Sequence, residues 1–202
     1  MGSTSKKRIV FLGGKRLYLR PRHESDVVYF LRWFNDPEVT AYMSTRYPTT
    51  IEDEAQWIRR DPEERDDRVV LTIVRKNTSL EKDCPIGVLG IRDIEVANRV
   101  ATIGITIGEK ECWGNGYATE AESLLLEYAF NTLNLRKIYA RVLTANRRSC
   151  RHFRNTDMSL RRRSLSDTFA RTIILMSVYF RLALPNGRNS GRNWFYDAET
   201  NL

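Results

Sequence analysis

Five segments of the 202-residue chain combine apolar, often β-branched residues with interleaved polar ones, a pattern that predicts strands. In chain order they are "RLYLRPR", "RVVLTIVRK", "IGVLGIRDIEV", "VATIGITIGEK" and "KIYARVLT". The third and fourth segments adjoin around residues 97–99, so we expect them to form a hairpin.

Apolar residues at helical spacing predict three helices between these strands. In "ESDVVYFLRWFNDPEV" the apolar positions are Val28, Leu31 and Phe34, and Asn-Asp-Pro ends the helix. A second helix, "TIEDEAQWIRRDP", has Thr50 as its expected N-cap, and a third spans residues 117–131. The apolar face of the third helix consists of Ala118, Ala121, Leu125 and Tyr128. The order β-α-α-β-β-β-α-β predicts a mixed α/β fold.

The net charge of +8 is concentrated near the C-terminus. Residues 149–202 hold nine arginines, no lysine and four acids, so the preceding body is close to balanced. We therefore do not expect a nucleic-acid partner for the body of the chain, although its basic C-terminal quarter keeps that alternative open. No run approaches the ~18 apolar residues of a membrane helix, so we expect no membrane association.

Cysteine and histidine usage limits the remaining chemistry. Cys84, Cys112 and Cys150 are odd in number and widely spaced, which predicts free thiols in a reducing compartment and hence a cytoplasmic location. His23 and His152 are the only histidines, so we expect no metal site rich in histidine.

The segment "ECWGNGYATEA" places Gly114 and Gly116 between the fourth predicted strand and the third helix. Glycine permits positive φ and close backbone approach, and the amides of a helix N-terminus favour anions. The segment has neither the Gly-Lys-Ser/Thr of a P-loop nor the third glycine of a dinucleotide-binding fingerprint. Its spacing alone is equally compatible with a phosphate-binding loop and with a tight turn that enters a helix.

Several motifs together resemble the GNAT superfamily of N-acetyltransferases, in particular the branch that contains ribosomal-protein N-terminal acetyltransferases and spermidine N-acetyltransferase. The resemblance is carried by "WGNGYATEA" at residues 113–121, "LNL" at residues 133–135, and Val142 followed by Asn146. It covers roughly residues 14–149. It implies a GNAT fold, which is a mixed, mostly antiparallel sheet flanked by helices.

The resemblance also implies that acetyl-CoA is the cosubstrate. Its pyrophosphate would bind the backbone amides of Trp113, Gly114, Asn115, Gly116, Tyr117, Ala118 and Thr119. Its pantetheine arm would pair with the backbone near Ile105, Thr106 and Ile107, and Asn146 would reach the same arm.

Candidates for catalysis and for acceptor binding follow from the same resemblance. Asp93 and Glu95, near the end of the third predicted strand, are the candidate general bases; the alternative is that they are solvated charges of a hairpin. Asn35, Asp36 and Tyr42 lie where substrate-contacting loops are expected; the alternative is that Asn-Asp-Pro only terminates a helix.

The resemblance stops near Ser149. The family continues with a helix ending in Lys-x-Gly-Phe and two antiparallel strands, whereas this chain contains no glycine from residue 146 to Gly187 and reads "LRRRSLS", a poor strand. A shift of two nucleotides in the reading frame would permit Phe-x-Lys-Tyr-Gly-Tyr-Val over residues 152–159 and Tyr-Tyr-x-Asp-Val over residues 172–177. We hypothesise a frameshift near Ser149; the alternative is a divergent arginine-rich tail.

These observations predict a tail at residues 1–13, an N-acetyltransferase domain at 14–149, and an atypical, basic, partly disordered segment at 150–202 that leaves the fifth strand with an open edge. The expected acceptor is a primary amine of a protein N-terminus, a polyamine or another small molecule. A homodimer is compatible with this reading. The alternatives are a catalytically impaired CoA-binding relic and a nucleic-acid-binding protein that uses its tail.

Overall fold

The computed structural model describes residues 9–43, 47–59, 67–76, 84–155, 159–162 and 173–179. The strands are β1 Leu12–Gly13, β2 Leu17–Pro21, β3 Val69–Arg75, β4 Cys84–Glu95, β5 Val100–Ile107, β6 Lys137–Leu143, β7 Ser159–Arg162 and β8 Ile173–Tyr179. The helices are α1 Val27–Phe34, α2 Pro37–Thr40, α3 Ile51–Arg59, α4 Tyr117–Asn131 and α5 Arg147–Asn155. The predicted mixed α/β fold is confirmed: β2 to β6 are the five predicted strands, and α1, α3 and α4 are the three predicted helices.

All the strands form one sheet in the order β1-β2-β3-β4-β5-β6-β8-β7. Neighbours pair antiparallel except β5 and β6, which are parallel and are connected through α4. The predicted hairpin joins β4 to β5. None of the helices in the described segments is long and apolar enough to cross a membrane.

Helices cover both faces of the sheet. Leu125 of α4 packs in one cluster with Ile103 of β5, whereas Phe30 and Trp33 of α1 pack in a second cluster with Val88 of β4. Because successive strand residues point to opposite faces, α4 lies on one side of the sheet and α1 and α3 on the other. The carboxyl ends of β5 and β6 therefore lie between the layer formed by α4 and the layer formed by α1 and α3.

The apolar face of α1 is shifted by one residue from its prediction. Val28, which the periodicity placed in the core, is 67% exposed. The buried residues are instead Val27, Phe30 and Trp33. Both triads have the same spacing, so periodicity alone does not distinguish them, and the triad with the larger aromatic area is the buried one.

The C-terminal part of the sheet corrects our expectation of an open edge. β8 pairs with β6 along its whole length, and β7 pairs with the other side of β8. Main-chain hydrogen bonds do not require a particular side chain, so an arginine-rich segment such as "SLRR" can still join a sheet. The segment "PNGRNSGRN", for which the sequence predicts disorder, lies outside the described residues.

Glu54 of α3 is a buried acid with only part of its hydrogen-bonding capacity used. Its side chain accepts a bond from Thr49 Oγ1 at 2.9 Å, and Oε2 has no partner in the described part of the chain. Burial raises the pKa of Glu54, so the folded state holds the proton more tightly than the unfolded chain does. The corresponding stability is present below the unfolded pKa and is lost as the pH rises through the folded pKa.

We therefore expect Glu54→Gln, which resembles the protonated acid, to raise the free energy of unfolding at pH 7 relative to the parent chain. The advantage should disappear at about pH 3, where the acid is largely protonated in both states. Urea denaturation at both pH values measures the difference. An equal effect of the substitution at both values would contradict the assignment.

Candidate active site

The two parallel strands diverge partway along the sheet. β5 and β6 pair from Val100 opposite Lys137 to Ile103 opposite Ala140, after which β5 continues to Ile107. In the described part of the chain, no strand pairs with this side of β5 beyond Ile103. The divergence leaves a wedge-shaped gap whose β5 wall carries unpaired backbone groups, and an extended ligand can bind such groups as an added strand would.

The register of β5 against β4 shows which backbone groups face this gap. The Gly108 amide donates to the Ile86 carbonyl at 2.9 Å. Because antiparallel residues alternate between the two sides of a strand, Thr106 directs its amide and carbonyl to β4, whereas Ile105 and Ile107 direct theirs to the gap. Two of the three predicted pantetheine residues are therefore oriented for pairing, and Thr106 is not.

The glycine loop lies directly beyond β5. Gly114 and Gly116 have φ of 79° and 78°, which L-amino acids with side chains rarely adopt. Gly116 is the N-cap of α4 and supplies no side chain to cap the first amides of that helix. Those amides and the positive end of the helix dipole are therefore available to an anion.

Arg16 fixes the loop from the start of β2. Its guanidinium donates to the Asn115 carbonyl and to Glu120, each at 2.8 Å, and lies 4.7 Å from the centre of the Tyr117 ring. Partial burial would raise the pKa of Glu120, but hydrogen bonds from the Arg16 backbone and side chain together hold it below its usual value. The ion pair between Arg16 and Glu120 of α4 thus fixes the loop to the start of β2.

Trp113 connects the loop to the strand and to α5. Its indole Nε1 donates to the Ile107 carbonyl at 2.7 Å, which leaves the Ile107 amide for a ligand in the gap. The Arg148 guanidinium of α5 lies 4.2 Å from the centre of the Trp113 ring. A positive charge therefore stands beside the loop.

Asn146 caps the N-terminus of α5. Its Oδ1 accepts a hydrogen bond from the Ser149 amide at 3.0 Å. Because β5 and β6 are parallel, the cap lies at the same end of the sheet as the glycine loop. The side-chain oxygen is used by the cap, so a contact with the cofactor arm would fall to the amide nitrogen of Asn146.

Asp93 and Glu95 lie toward the opposite end of the β4–β5 hairpin. Asp93 is exposed with a φ of 55°, and Glu95 pairs with Val100 and accepts a hydrogen bond from Asn98 at 2.8 Å. Ile105 lies five residue steps along β5 from Val100, a distance of about 17 Å. Their role as general bases stays a prediction, and this placement favours the alternative of solvated hairpin charges.

Asn35 joins two loops on the α1 side of the sheet. Its amide nitrogen donates to the carbonyls of Leu31 and Thr49 at 2.9 Å, and its Oδ1 accepts from the Thr49 amide at 3.0 Å. The side chain thus ends α1 and fixes the segment that leads to α3. These contacts fit the alternative of helix termination.

Asp36 caps α2 and forms an ion pair close to the glycine loop. It accepts a hydrogen bond from the Glu38 amide at 2.9 Å and lies 2.7 Å from Lys110 Nζ. The hydrogen bond from Lys110 holds the pKa of Asp36 below its usual value. Tyr42, which follows α2, is 48% exposed. Acceptor binding by these residues stays a prediction.

An acid and a histidine that the sequence pattern did not indicate lie beside the loop. Glu122 of α4 is 1% exposed, and its Oε2 contacts His152 Nε2 of α5. His152 Nδ1 lies 3.3 Å from Thr119 Oγ1, in the first turn of α4. Glu122 follows Ala118 by four residues and precedes Leu125 by three, so a charged residue beside the predicted apolar face was the available signal.

The three cysteines are free thiols, as predicted. Burial raises the pKa of Cys84 and of Cys112, so both thiols are mainly protonated near neutral pH. They are therefore poor candidates for covalent catalysis.

Comparison with known proteins gives a consistent result. The Acetyltransferase (GNAT) domain model matches residues 16–159. The chain is 33% identical over 134 residues to the uncharacterized N-acetyltransferase p20 of Bacillus licheniformis, covering 65% of this chain and 72% of that protein. It is 31% identical over 138 residues to the uncharacterized N-acetyltransferase YoaA of Bacillus subtilis (strain 168), covering 67% of this chain and 75% of that protein.

Solved structures share the fold. The spermidine N-acetyltransferase from Vibrio cholerae, in complex with CoA and spermine, superposes with a TM-score of 0.71 at 18% identity, covering 81% of this chain and 95% of that one. The divergent parallel strands, the glycine loop and the matched family model all indicate the same family. The chain therefore belongs to the GNAT acetyltransferase family and is an acyltransferase.

Proposed function

We propose that this protein transfers an acetyl group from acetyl-CoA to a primary amine. The observation that carries the proposal is the divergence of β5 from β6 directly beside a glycine loop that opens a helix. The gap fits an extended pantetheine arm, and the loop fits a pyrophosphate. The similar fold of a spermidine N-acetyltransferase in complex with CoA supports the same cosubstrate here.

The cofactor-binding residues that we propose are those of the β5 wall, the loop and the α5 cap. They are Ile105, Thr106, Ile107, Trp113, Gly114, Asn115, Gly116, Tyr117, Ala118, Thr119 and Asn146. Since the Thr106 backbone faces β4, we expect Ile105 and Ile107 to make the main-chain bonds. Asn146, the last residue of this set, lies within the segment 16–159 that matches the family model.

When bound, acetyl-CoA supplies an activated thioester. The amides of β5 that face the gap would donate to its carbonyl oxygen as that oxygen gains negative charge. The acceptor amine must lose a proton before it attacks, and Asp93 and Glu95 remain the proposed bases. We propose that Asn35, Asp36 and Tyr42 bind the acceptor. The negative charge of the Asp36 carboxylate suits a cationic amine.

Two measurements test this function. Calorimetric titration with acetyl-CoA should show saturable binding, and a thiol-release assay with spermidine and with peptides that have free N-termini should show turnover. Binding without turnover on any amine would indicate an impaired relic. A protein that binds a nucleic acid but does not bind acetyl-CoA would overturn the proposal.

The loop itself offers a substitution test. Gly116→Ala should weaken acetyl-CoA binding roughly tenfold, because the free loop of the variant would relax to negative φ and binding would have to restore the positive φ, at a cost of about 1–2 kcal/mol. The new methyl group would also lie 3.4 Å from Arg16 Nη2. Titration of both proteins measures the change. Gly13→Ala on β1 is the matched control, since its methyl group would meet only Val10 at 3.8 Å; equal affinities for the two variants would contradict the role of Gly116.

We also propose that residues after Ser149 derive from a shifted reading frame. The lack of the family's helix ending in Lys-x-Gly-Phe, and the use of arginine without lysine over residues 149–202, support the proposal. The genomic DNA tests it: the frame offset by two nucleotides should encode an uninterrupted family-like ending. A stop codon shortly after codon 149 in that frame would exclude the idea. The free thiols fit a cytoplasmic location, which we propose on that basis.

A further inference from the structure

The wide end of the gap between β5 and β6 is bounded by the last residues of the two strands. Pairing ends where Ile103 lies opposite Ala140. Beyond this pair, β5 continues to Ile107 and β6 continues to Leu143. Because the two strands are parallel, Ile107 and Leu143 lie at the same end of the sheet. Side chains that follow either strand are therefore placed at the mouth of the gap.

The first turn of α5 is fixed to the end of β6. The Asn146 amide donates to the Leu143 carbonyl at 2.9 Å, and the Cys150 amide donates to the Asn146 carbonyl at 2.9 Å. The Asn146 side chain accepts a hydrogen bond from the Ser149 amide at 3.0 Å. Arg148, the second residue of α5, thus lies on a well-connected turn at the mouth of the gap. It precedes Ser149, so it belongs to the part of the chain that resembles the family.

The opposite wall of the gap contributes Trp113, the first of the loop residues proposed to hold the pyrophosphate. Its Nε1 donates to the Ile107 carbonyl at 2.7 Å, and the backbone of Ile107 faces the gap. The Arg148 guanidinium lies 4.2 Å from the centre of the Trp113 ring. The two side chains therefore meet at the mouth of the gap, one from each wall. A cofactor whose arm lies in the gap and whose pyrophosphate lies on the loop must pass beside them.

No neighbouring acid offsets the charge of Arg148. Arg16, which also contacts the loop, pairs with Glu120 at 2.8 Å. Among the described residues, Arg148 contacts the Trp113 ring and forms no ion pair with a carboxylate. A guanidinium stays charged at any physiological pH, and a cation–π contact leaves N–H donors for an anion. The loop therefore has an uncompensated positive charge beside its amides.

We propose that Arg148 binds the pyrophosphate of acetyl-CoA. The guanidinium donates to the phosphate oxygens from the α5 side, while the loop amides donate from the α4 side. The Trp113 ring supports the arginine side chain in this position. Contacts between arginine and phosphate are often bidentate, and a planar guanidinium packed on an indole suits that geometry. The inference rests on the proposed binding of acetyl-CoA at this loop.

The alternative is that Arg148 only packs against Trp113 and so connects α5 to the loop. In that role the length of the side chain matters and its charge does not. A methionine would then serve as well as the arginine, because its thioether packs favourably on aromatic rings. In the proposed role the charge is essential, and a methionine cannot replace it.

Three substitutions separate these roles by calorimetric titration with acetyl-CoA. Arg148→Met should raise Kd about tenfold, the usual effect of losing one charge-assisted hydrogen bond. Arg148→Lys keeps the charge without the planar fork and should raise Kd about threefold. Arg147→Met is the matched control, because Arg147 is exposed in the same turn and has the same charge. Its Kd should stay within about twofold of the parent value, since exposed charges away from the ligand are screened. Added salt should reduce the difference between the parent and Arg148→Met.

A second ligand identifies the phosphate that Arg148 contacts. Acetyl-CoA carries a 3′-phosphate in addition to its pyrophosphate, and acetyl-dephospho-CoA lacks only the 3′-phosphate. Arg148→Met should lose affinity by the same factor for both ligands. A loss confined to acetyl-CoA would assign Arg148 to the 3′-phosphate and overturn the proposed contact with the pyrophosphate.

Thermal unfolding of each variant without ligand confirms that the fold is retained. Equal Kd values for the parent and Arg148→Met would overturn the inference alone, as would equal losses in Arg148→Met and Arg147→Met. Equal losses in Arg148→Met and Arg148→Lys would also overturn it, because the site would then not use the charge. Failure of the parent to bind acetyl-CoA would overturn the proposed function and the inference together.

Discussion

Asp26→Ala is expected to lower the free energy of unfolding by about 3–5 kcal/mol, the usual cost of removing one partner from a buried ion pair. The Asp26 side chain is 1% exposed and accepts two bonds from the Arg20 guanidinium, at 2.6 and 2.8 Å. Thr72 Oγ1 donates to it at 2.8 Å, and the His23 amide at 3.0 Å. The substitution would leave a largely buried guanidinium without its counter-ion.

These contacts join β2, β3 and the start of α1, so the measurement should report on the whole domain. Urea denaturation followed by tryptophan fluorescence gives the free energy of unfolding. Glu24→Ala is the matched control: Glu24 pairs with Arg59 at 2.8 Å, but both side chains are more than 60% exposed. Such an exposed pair contributes at most about 1 kcal/mol. Equal losses for the two variants would show that burial of Asp26 does not determine its contribution.

Gly108→Ala is expected to destabilise the protein by about 2–3 kcal/mol through overpacking. A methyl group at residue 108 would lie 2.1 to 2.6 Å from three atoms of the Trp33 indole. Trp33 is 1% exposed, and its Nε1 donates to Glu109 Oε1 at 3.0 Å, so the ring has little room to move. Relief of the clash would require a shift of α1 or of the end of β5.

Gly104→Ala is the natural comparison, because no heavy atom lies within 4 Å of the position its methyl group would occupy. Gly104 lies within β5 and Gly108 directly follows that strand, so the two substitutions are made four residues apart in the same stretch of chain. Thermal and urea unfolding of the two variants should separate them by about 2 kcal/mol. Since residue 108 directly follows β5, Gly108→Ala should also weaken acetyl-CoA binding. Equal stabilities would mean that the Trp33 ring adapts freely.

Local patterns predicted much of the fold. The β4–β5 hairpin and the glycine loop were predicted because each depends on neighbouring residues with distinctive conformational preferences. The predicted buried face of α1 was wrong by one residue. The triads Val28-Leu31-Phe34 and Val27-Phe30-Trp33 have the same spacing, so periodicity does not distinguish them. Choosing between them depends on contacts with α3 and β4 that no local pattern contains.

The site was less predictable than the fold. The backbone of Ile105 faces the gap and that of Thr106 does not, a distinction that depends on the register between β4 and β5. The contact between Glu122 and His152 joins residues thirty positions apart on two helices, so neither segment alone indicates it. The pairing of β8 with β6 was missed because main-chain bonds leave little trace in side-chain pattern.

The short ladder between β5 and β6 divides the sheet into two leaves. One leaf contains β1 to β5, and the other contains β6, β8 and β7. Among the described residues, strand pairing joins the leaves only from Val100 to Ile103 with their partners on β6, and the Arg99 carbonyl adds bonds from the amides of Arg136 and Lys137. Strand pairing therefore joins the two leaves over few rungs, and buried side chains such as Ile103 of β5, Ile138 of β6 and Leu125 of α4 join them further within one core cluster.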